Sequence, residues 1–359
     1  MTDRPYAEHP SCPVPFLNFI RMILVTGGTG LVGSHLIFQL ASAGEKVRAL
    51  KRNSSDLATT KKIFAVYSID HEKLFSSIEW VEGDILDVES IHNALEGVDL
   101  VFHCAGLVSL DPREGELILR TNSEGTANMV NACLANGNIK KFCHVSSVAA
   151  LGDVPQDVLI TEEFEWKGCA RDNYYSISKY NAEREVWRAS VEGLNVVIVN
   201  PAVVIGPGNW NMSSCLIFKE ANKRIWYYPS GTAGYVDVRD VAGAMVMLVK
   251  SNSVNERFIL AAENFSLREF SDMVHDVLGK KRSFIHAGPF LLGLAWRLEK
   301  VRCLFTGKKK VITKTIAQAV QERTSFSSEK LKRVTGFEFI RVIRSVKDTA
   351  EAFVKEYNS

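Results

Sequence analysis

One stretch near the start of the chain constrains the fold more than any other. The apolar run Met22-Ile23-Leu24-Val25 leads straight into Thr26-Gly27-Gly28-Thr29-Gly30-Leu31-Val32-Gly33, and a helical pattern opens at Leu31. Gly27, Gly30 and Gly33 read G-x-x-G-x-x-G; Gly28, Gly30 and Gly33 also read G-x-G-x-x-G. Glycine is needed where the chain turns tightly and a pyrophosphate must approach bare backbone. The helix N-terminus then offers unpaired N–H groups and the positive end of its dipole. An ordinary tight turn is the bland alternative, but it requires neither the strand before nor the helix after. The stretch therefore points to a dinucleotide-binding turn, with Gly27, Thr29, Gly30, Leu31, Val32 and Gly33 toward the ligand.

The rest of the first two hundred residues repeats the strand–helix alternation. Strands are expected at 22–26, 46–50, 78–81, 99–104, 141–146 and 195–200, and helices at 31–43, 87–96, 121–137 and 173–192. This spacing is that of an α/β, Rossmann-type doubly wound parallel sheet. Val101-Phe102-His103 and Val196-Val197-Ile198-Val199 are almost continuously apolar, as strands covered on both faces must be. After Asn200-Pro201 the pattern loosens. The expected organisation is a loose extension over 1–21, a nucleotide-binding domain over 22–202, and a smaller, interleaved C-terminal substrate lobe over 203–359. Within that lobe, 235–250 is expected to return to the Rossmann sheet.

Composition narrows the partners. With 43 basic and 41 acidic residues in 359, the net charge of +2 gives no nucleic-acid footprint. Seven cysteines (Cys12, Cys104, Cys133, Cys143, Cys169, Cys215, Cys303) form no C-x-x-C pair, so neither zinc nor a dithiol site is indicated. Free thiols in a reducing compartment, and hence a cytoplasmic protein, are the simple reading. The most apolar run, Ile285 to Leu298, is interrupted by Pro289 and Arg297 and is too short to span a bilayer. Flanked by Lys280, Lys281 and Arg282 and by Lys308, Lys309 and Lys310, it is read as a helix packed over the substrate pocket in preference to a membrane-surface contact.

Two further features carry chemistry. An acid at the tip of the second strand binds the ribose of NAD(H). Here that strand ends in Lys51-Arg52-Asn53, and a guanidinium at Arg52 would grip a 2′-phosphate by paired charge-assisted bonds. NADP(H) is favoured, with NAD(H) and a merely solvated basic turn as alternatives. Tyr175-Ser176-Ile177-Ser178-Lys179 puts Tyr175 and Lys179 on one helix face, where an ammonium is expected to lower the phenol pKa. It follows Ser146-Ser147, at the carboxyl edge of an expected strand, where open α/β sheets bind ligands.

Taken in order, Thr26-Gly27-x-x-Gly30-x-x-Gly33, Gly83-Asp84-Ile85, Phe102-His103-x-Ala105-Gly106, Asn122-x-x-Gly125-Thr126, Ser146-Ser147, Tyr175-x-x-x-Lys179 and Asn200-Pro201-x-x-Val204-x-Gly206-Pro207 resemble the extended short-chain dehydrogenase/reductase family. The resemblance covers nearly all of the chain from Met22. It implies that Ser147 binds the substrate oxygen, with Ser146 as the alternative serine. Tyr175 would pass the proton, and Lys179 would hold the nicotinamide ribose. Asp84 and Ile85 would flank the adenine, Ala105 and Gly106 would line the cofactor path, and Pro201 and Val204 would lie near the nicotinamide. Asn122 is expected to fix backbone geometry. A homodimer through the helices around 87–137 and 173–192 is compatible with the resemblance.

Three chemistries share that scaffold. The dehydratases carry Thr-Asp-Glu after the serine pair, where this chain has Val148-Ala149-Ala150. Sugar-nucleotide epimerases place an arginine before the returning strand, where Thr232-Ala233-Gly234 stands here. The reductase branch, with dihydroflavonol reductases and 3β-hydroxysteroid dehydrogenases, resembles the chain best in Val47-Arg48-Ala49-Leu50-Lys51-Arg52 and Asn200–Trp210. Its small-molecule substrates are bulky and apolar. Trp210, Phe218, Trp226, Tyr227, Tyr228, Phe290, Leu291, Leu292 and Trp296 would suit such a pocket or an ordinary core. The epimerase is the runner-up, and a redox sensor that binds the dinucleotide without turnover is the third reading.

Overall fold

The computed structural model describes residues 22–357 except 110, 171–172, 224–225 and 307–313. The expected extension over 1–21 and the cluster Lys308–Lys310 fall outside those residues. The first half of the chain runs β1 (Ile23–Thr26), α1 (Leu31–Ser42), β2 (Val47–Lys51), α2 (Ala58–Tyr67), α3 (His71–Ser76), β3 (Glu79–Glu82), α4 (Val88–Ala94), β4 (Leu100–His103), α5 (Gly115–Leu119), a π-helical stretch (Arg120–Glu124), α6 (Gly125–Asn136), β5 (Lys141–Val145), β6 (Leu159–Ile160), α7 (Tyr174–Val191) and β7 (Val196–Pro201). The second half runs β8 (Val203–Ile205), α8 (Leu216–Asn222), β9 (Tyr227–Tyr228), β10 (Thr232–Asp237), α9 (Val238–Lys250), β11 (Glu256–Leu260), β12 (Glu263–Ser266), α10 (Leu267–Val277), β13 (Ile285–His286), α11 (Pro289–Thr306), α12 (Lys314–Ala319), β14 (Ser325–Phe326), α13 (Glu329–Thr335) and α14 (Val342–Tyr357).

A seven-stranded parallel sheet in the order β11-β7-β5-β4-β1-β2-β3 forms the centre of the fold. β1, β4, β5 and β7 are wholly buried, because each face carries its own core. On one face Ile23, Val25, Phe102 and Val199 pack with Leu36, Ile37 and Leu40 of α1 and with Met245 and Leu248 of α9. On the other, Leu24, Val101, Phe142 and Ile198 pack with Ile91, Met129, Val130 and Val186. The strand order reverses between β1 and β4, and the carboxyl ends of the strands leave a crevice there, the place where such sheets hold ligands.

The segment 235–250 departs from expectation. Its strand, β10, lies between β8 and β12 in a separate three-stranded sheet, and only its helix, α9, packs on the large sheet. The edge beside β7 is taken by β11, whose Phe258, Ile259 and Leu260 are buried outright. Gly234 permits the crossing: a Cβ there would lie 3.1 Å from both Ala202 and Ala261.

The second lobe has its own core. Trp210 and Phe218, candidates for a substrate pocket, are buried in it, and Phe353 of α14 meets the Trp210 ring edge-on at 5.1 Å. Two buried carboxylates, Asp237 and Asp348, hold the Arg239 guanidinium at 2.6 and 2.8 Å, tying α9 to α14. Phe353→Ala would open a cavity in this core. The expected loss is about 3–5 kcal/mol, read as a lower midpoint in thermal unfolding.

Candidate active site

The glycine turn is built by close approach. Gly27 has φ +67°, and a Cβ on it would lie 2.6 Å from the Ala105 nitrogen. On Gly33 a Cβ would stand 2.1 Å from the Gly27 carbonyl oxygen, so α1 can pack against the turn only with glycine there. Gly30 caps α1 with no side chain, and the first turn of the helix has no acidic residue. The N–H groups of Leu31, Val32 and Gly33 thus face an open, electropositive helix end. Thr29 and Gly30 sit at its accessible rim. A cradle of bare backbone that any side chain would fill fits a dinucleotide pyrophosphate.

A directional chain of hydrogen bonds fixes this cradle to the strands beside it. The Ala105 N–H donates to Thr26 Oγ1 at 3.3 Å, and Thr126 Oγ1 donates to the Asn122 carbonyl at 2.6 Å. Between them, His103 meets Thr26 Oγ1 through Nδ1 at 2.8 Å and Thr126 Oγ1 through Nε2 at 3.0 Å. Because the Thr126 proton is already committed, Nε2 carries the imidazole hydrogen and Nδ1 accepts from Thr26. Burial drives the His103 pKa down to about 3, assisted by Lys179 nearby, so the ring stays neutral.

Asn122 extends the network to the helix of the tyrosine. Its amide Nδ2 donates to the Leu107 carbonyl and to Ser178 Oγ, both at 2.9 Å, and its Oδ1 accepts from the Leu107 N–H at 2.7 Å. Ser178 Oγ in turn donates to the Tyr175 carbonyl at 2.8 Å. The π-helical stretch sits here, a distortion that such sites often carry.

Tyr175 enters α7 in its first turn, which Asn173 caps by accepting the Ser176 N–H at 3.2 Å. The Ser147 side chain, just past the end of β5, lies near enough to the Tyr175 hydroxyl to favour the phenolate. Lys179, one turn further along α7, donates to the Val145 carbonyl at 2.9 Å. Burial lowers its pKa to about 8, while Glu183 and Cys104 favour the charge. Tyr175 departs from the sequence expectation, since its pKa is raised. Burial of the phenol outweighs the opposing influence of the nearby Ser147 side chain, and the Lys179 ammonium is turned to a backbone carbonyl. The two serines differ in their surroundings, because buried Ser146 commits its Oγ proton to Glu183 Oε1 at 2.6 Å.

Glu183 is the residue that sequence reading missed. It is buried, accepts from Asn200 Nδ2 at 2.5 Å as well as from Ser146, and pairs with Arg257 at 2.8 Å. Asn200 also donates to the Ser147 carbonyl at 2.9 Å, so this cluster holds the serine's backbone. The available signal was its spacing, one helical turn beyond Lys179 on the same face.

The remaining expected residues line the carboxyl edge. A Cβ on Gly106 would be 3.3 Å from Lys179 Nζ, placing the Ala105–Gly106 loop over the amine. Asp84 accepts the Leu86 N–H at 2.9 Å, and buried Ile85 packs where a side chain on Gly125 would go. Pro201 closes β7 in the large sheet, opposite Leu260 of β11, and Val204 lies in β8 of the small sheet, opposite Val236. Arg52 is exposed past the tip of β2 and makes no ion pair among the described residues. Arg48, by contrast, is spent on Glu79 and on the Ala94 and Glu96 carbonyls.

The chain is similar to several known proteins. Residues 23–261 match the model of the NAD dependent epimerase/dehydratase family. A putative dihydroflavonol 4-reductase of Synechocystis sp. is 32% identical over 252 residues, covering 68% of each chain. Sterol demethylase protein B of Methylococcus capsulatus is 28% identical over 273 residues, covering 75% of this chain and 78% of its own. The crystal structure of gox2253 superposes with a TM-score of 0.74 at 27% identity, covering 93% of this chain and 98% of that one.

Two outcomes are expected. Gly33→Ala should abolish dinucleotide binding in a fluorescence titration while circular dichroism shows the fold retained. Glu183→Ala should cost about 2–4 kcal/mol of stability in chemical denaturation, because it strands two buried polar side chains, Ser146 and Asn200, and the half-buried Arg257 guanidinium.

Proposed function

The chain belongs to the NAD-dependent epimerase/dehydratase family, and from that premise we propose that it is an NADP(H)-dependent oxidoreductase interconverting a carbonyl and an alcohol on a bulky, largely apolar small molecule. The observation that carries the reading is the Ser147–Tyr175 hydroxyl pair with the Lys179 amine one turn away, all at the carboxyl edge beside the glycine cradle. When bound, the dinucleotide supplies hydride exchange with the substrate carbon.

The chain's residues do the rest. Gly27, Thr29, Gly30, Leu31, Val32 and Gly33 would hold the pyrophosphate, and Asp84 and Ile85 the adenine. Arg52 would bind the 2′-phosphate; Ala105, Gly106, Pro201, Val204 and Lys179 would enclose the nicotinamide end. In reduction, Ser147 donates a hydrogen bond to the substrate oxygen, and Tyr175 passes its proton to that oxygen as the alkoxide develops. The Lys179 ammonium stabilises the phenolate left behind. Oxidation runs the same steps in reverse. Val148-Ala149-Ala150 supply no acid or base for elimination, which separates the chain from dehydratase chemistry. Relatives named as a sterol demethylase and a dihydroflavonol reductase support a fused-ring or aromatic substrate class.

Tyr175→Phe should keep cofactor affinity and lower turnover about 10²- to 10⁴-fold; unchanged turnover would remove Tyr175 from the role. Carbonyl reduction needs Lys179 charged, so kcat/KM should be level at low pH and fall as pH rises through about 8. A pH–rate profile on a broad panel of ketones and aldehydes reads this directly. Arg52→Asp should weaken NADPH roughly 10- to 100-fold and leave NADH within a few-fold, by titration of nicotinamide fluorescence. Tighter binding of NADH by the unaltered protein would favour the epimerase reading, and NADPH binding without reduction of any carbonyl would favour a redox sensor.

A further inference from the structure

A surface helix of a water-soluble domain turns apolar residues inward and polar ones outward. The helix α11 breaks that rule on its outer side. Phe290, Leu294 and Leu298 recur one turn apart and are 87%, 45% and 60% exposed, with Arg297 beside them. Among the described side chains of α11, Leu291, Leu292, Ala295 and Trp296 are half-buried, so the exposed stripe is additional to a packed face. No helix among the described residues is long and apolar enough to cross a membrane.

The strand pair that leads into α11 continues the pattern. Phe284, 64% exposed, meets the ring of half-exposed Trp226 edge-on at 5.4 Å, and exposed Tyr227 follows in β9. Just ahead of Phe284 stand Lys280, Lys281 and Arg282, all exposed. Arg282 is engaged by Asp276 at 2.5 Å, whereas Lys280 and Lys281 make no ion pair among the described residues. Glu299, the acid on α11, is turned toward Arg302 at 2.7 Å.

Apolar anchors, ring systems with one polar end and uncompensated cations next to them are what the surface of an anionic bilayer accommodates. A second copy of the chain fits less well, since a two-fold contact would set Lys280 and Lys281 near their own images. We propose that the outward face of α11, with the adjoining Trp226–Phe284 edge, docks the protein on an anionic lipid surface. This inference does not rest on the catalytic reading.

The test is co-sedimentation of the full chain with phosphatidylcholine vesicles, with and without phosphatidylserine. Pelleting should require phosphatidylserine and should decline as salt rises, because the attraction is screened. Leu294→Asp with Leu298→Asp should reduce the bound fraction roughly tenfold or more without shifting the thermal midpoint. Lys280→Glu with Lys281→Glu, on the fully solvated turn, should do the same on the anionic vesicles. Absence of pelleting, equal pelleting of these variants, or binding to phosphatidylcholine alone would overturn the proposal. So would a concentration-dependent dimer that Leu294→Asp dissolves, which would assign the face to a second copy.

Discussion

The neutral imidazole of His103, held between two threonine hydroxyls, is the interaction on which the site's geometry depends. Each hydroxyl in the chain has one proton and spends it in one direction, so the ring can take only one tautomer and the strands only one separation. An isolated buried imidazole would cost several kcal/mol in lost hydration; here both nitrogens are satisfied. The same chain reaches Asn122, and through Ser178 it reaches the backbone of Tyr175. The glycine cradle and the start of α7 are therefore placed by a single continuous network, and a change at one end is felt at the other.

Much of this was legible in the sequence, and the reasons are local. The glycine turn, the buried strands and the shared helix face of Tyr175 and Lys179 follow from spacing, since a strand alternates faces and a helix repeats every turn, whereas Ser147 was named by the family resemblance. What stayed hidden depends on long-range choices. Ser146 and Ser147 are indistinguishable by composition, and only the presence of Glu183 behind β5 tells which one is occupied. The tyrosine's pKa was expected to be lowered by Lys179 because four-residue spacing says that two side chains are near, but not where their tips point. Trp210 and Phe218 looked equally suited to a pocket and to a core, and α14, far along the chain, settles the matter by packing on them. The same distance effect put β10 into a sheet of its own.

Lys179 shows how the site divides its costs. An ammonium buried this deeply would normally shed its proton, and the fold counters with a carbonyl at one side and the Glu183 carboxylate at a distance. Glu183 in turn is paired at 2.8 Å with Arg257, itself near the Trp187 ring. A buried ammonium thus has a second and a third layer of charge behind it. Such arrangements trade stability for chemistry, and they lie where local preference and global fold disagree.

The helix α14 joins both halves of the molecule. Asp348 reaches Arg239 at the start of α9, and Glu356 holds the Trp210 indole and Lys62 of α2. All of these partners precede it in the sequence, some by almost three hundred residues. During synthesis the large sheet has nearly all its strands long before α14 leaves the ribosome, whereas the second lobe's core stays open until Phe353 arrives. The nascent chain must therefore carry an exposed apolar surface for the time taken to add about a hundred residues, several seconds at ordinary elongation rates. For that interval it exposes the kind of apolar surface that chaperones bind and that aggregates when left uncovered.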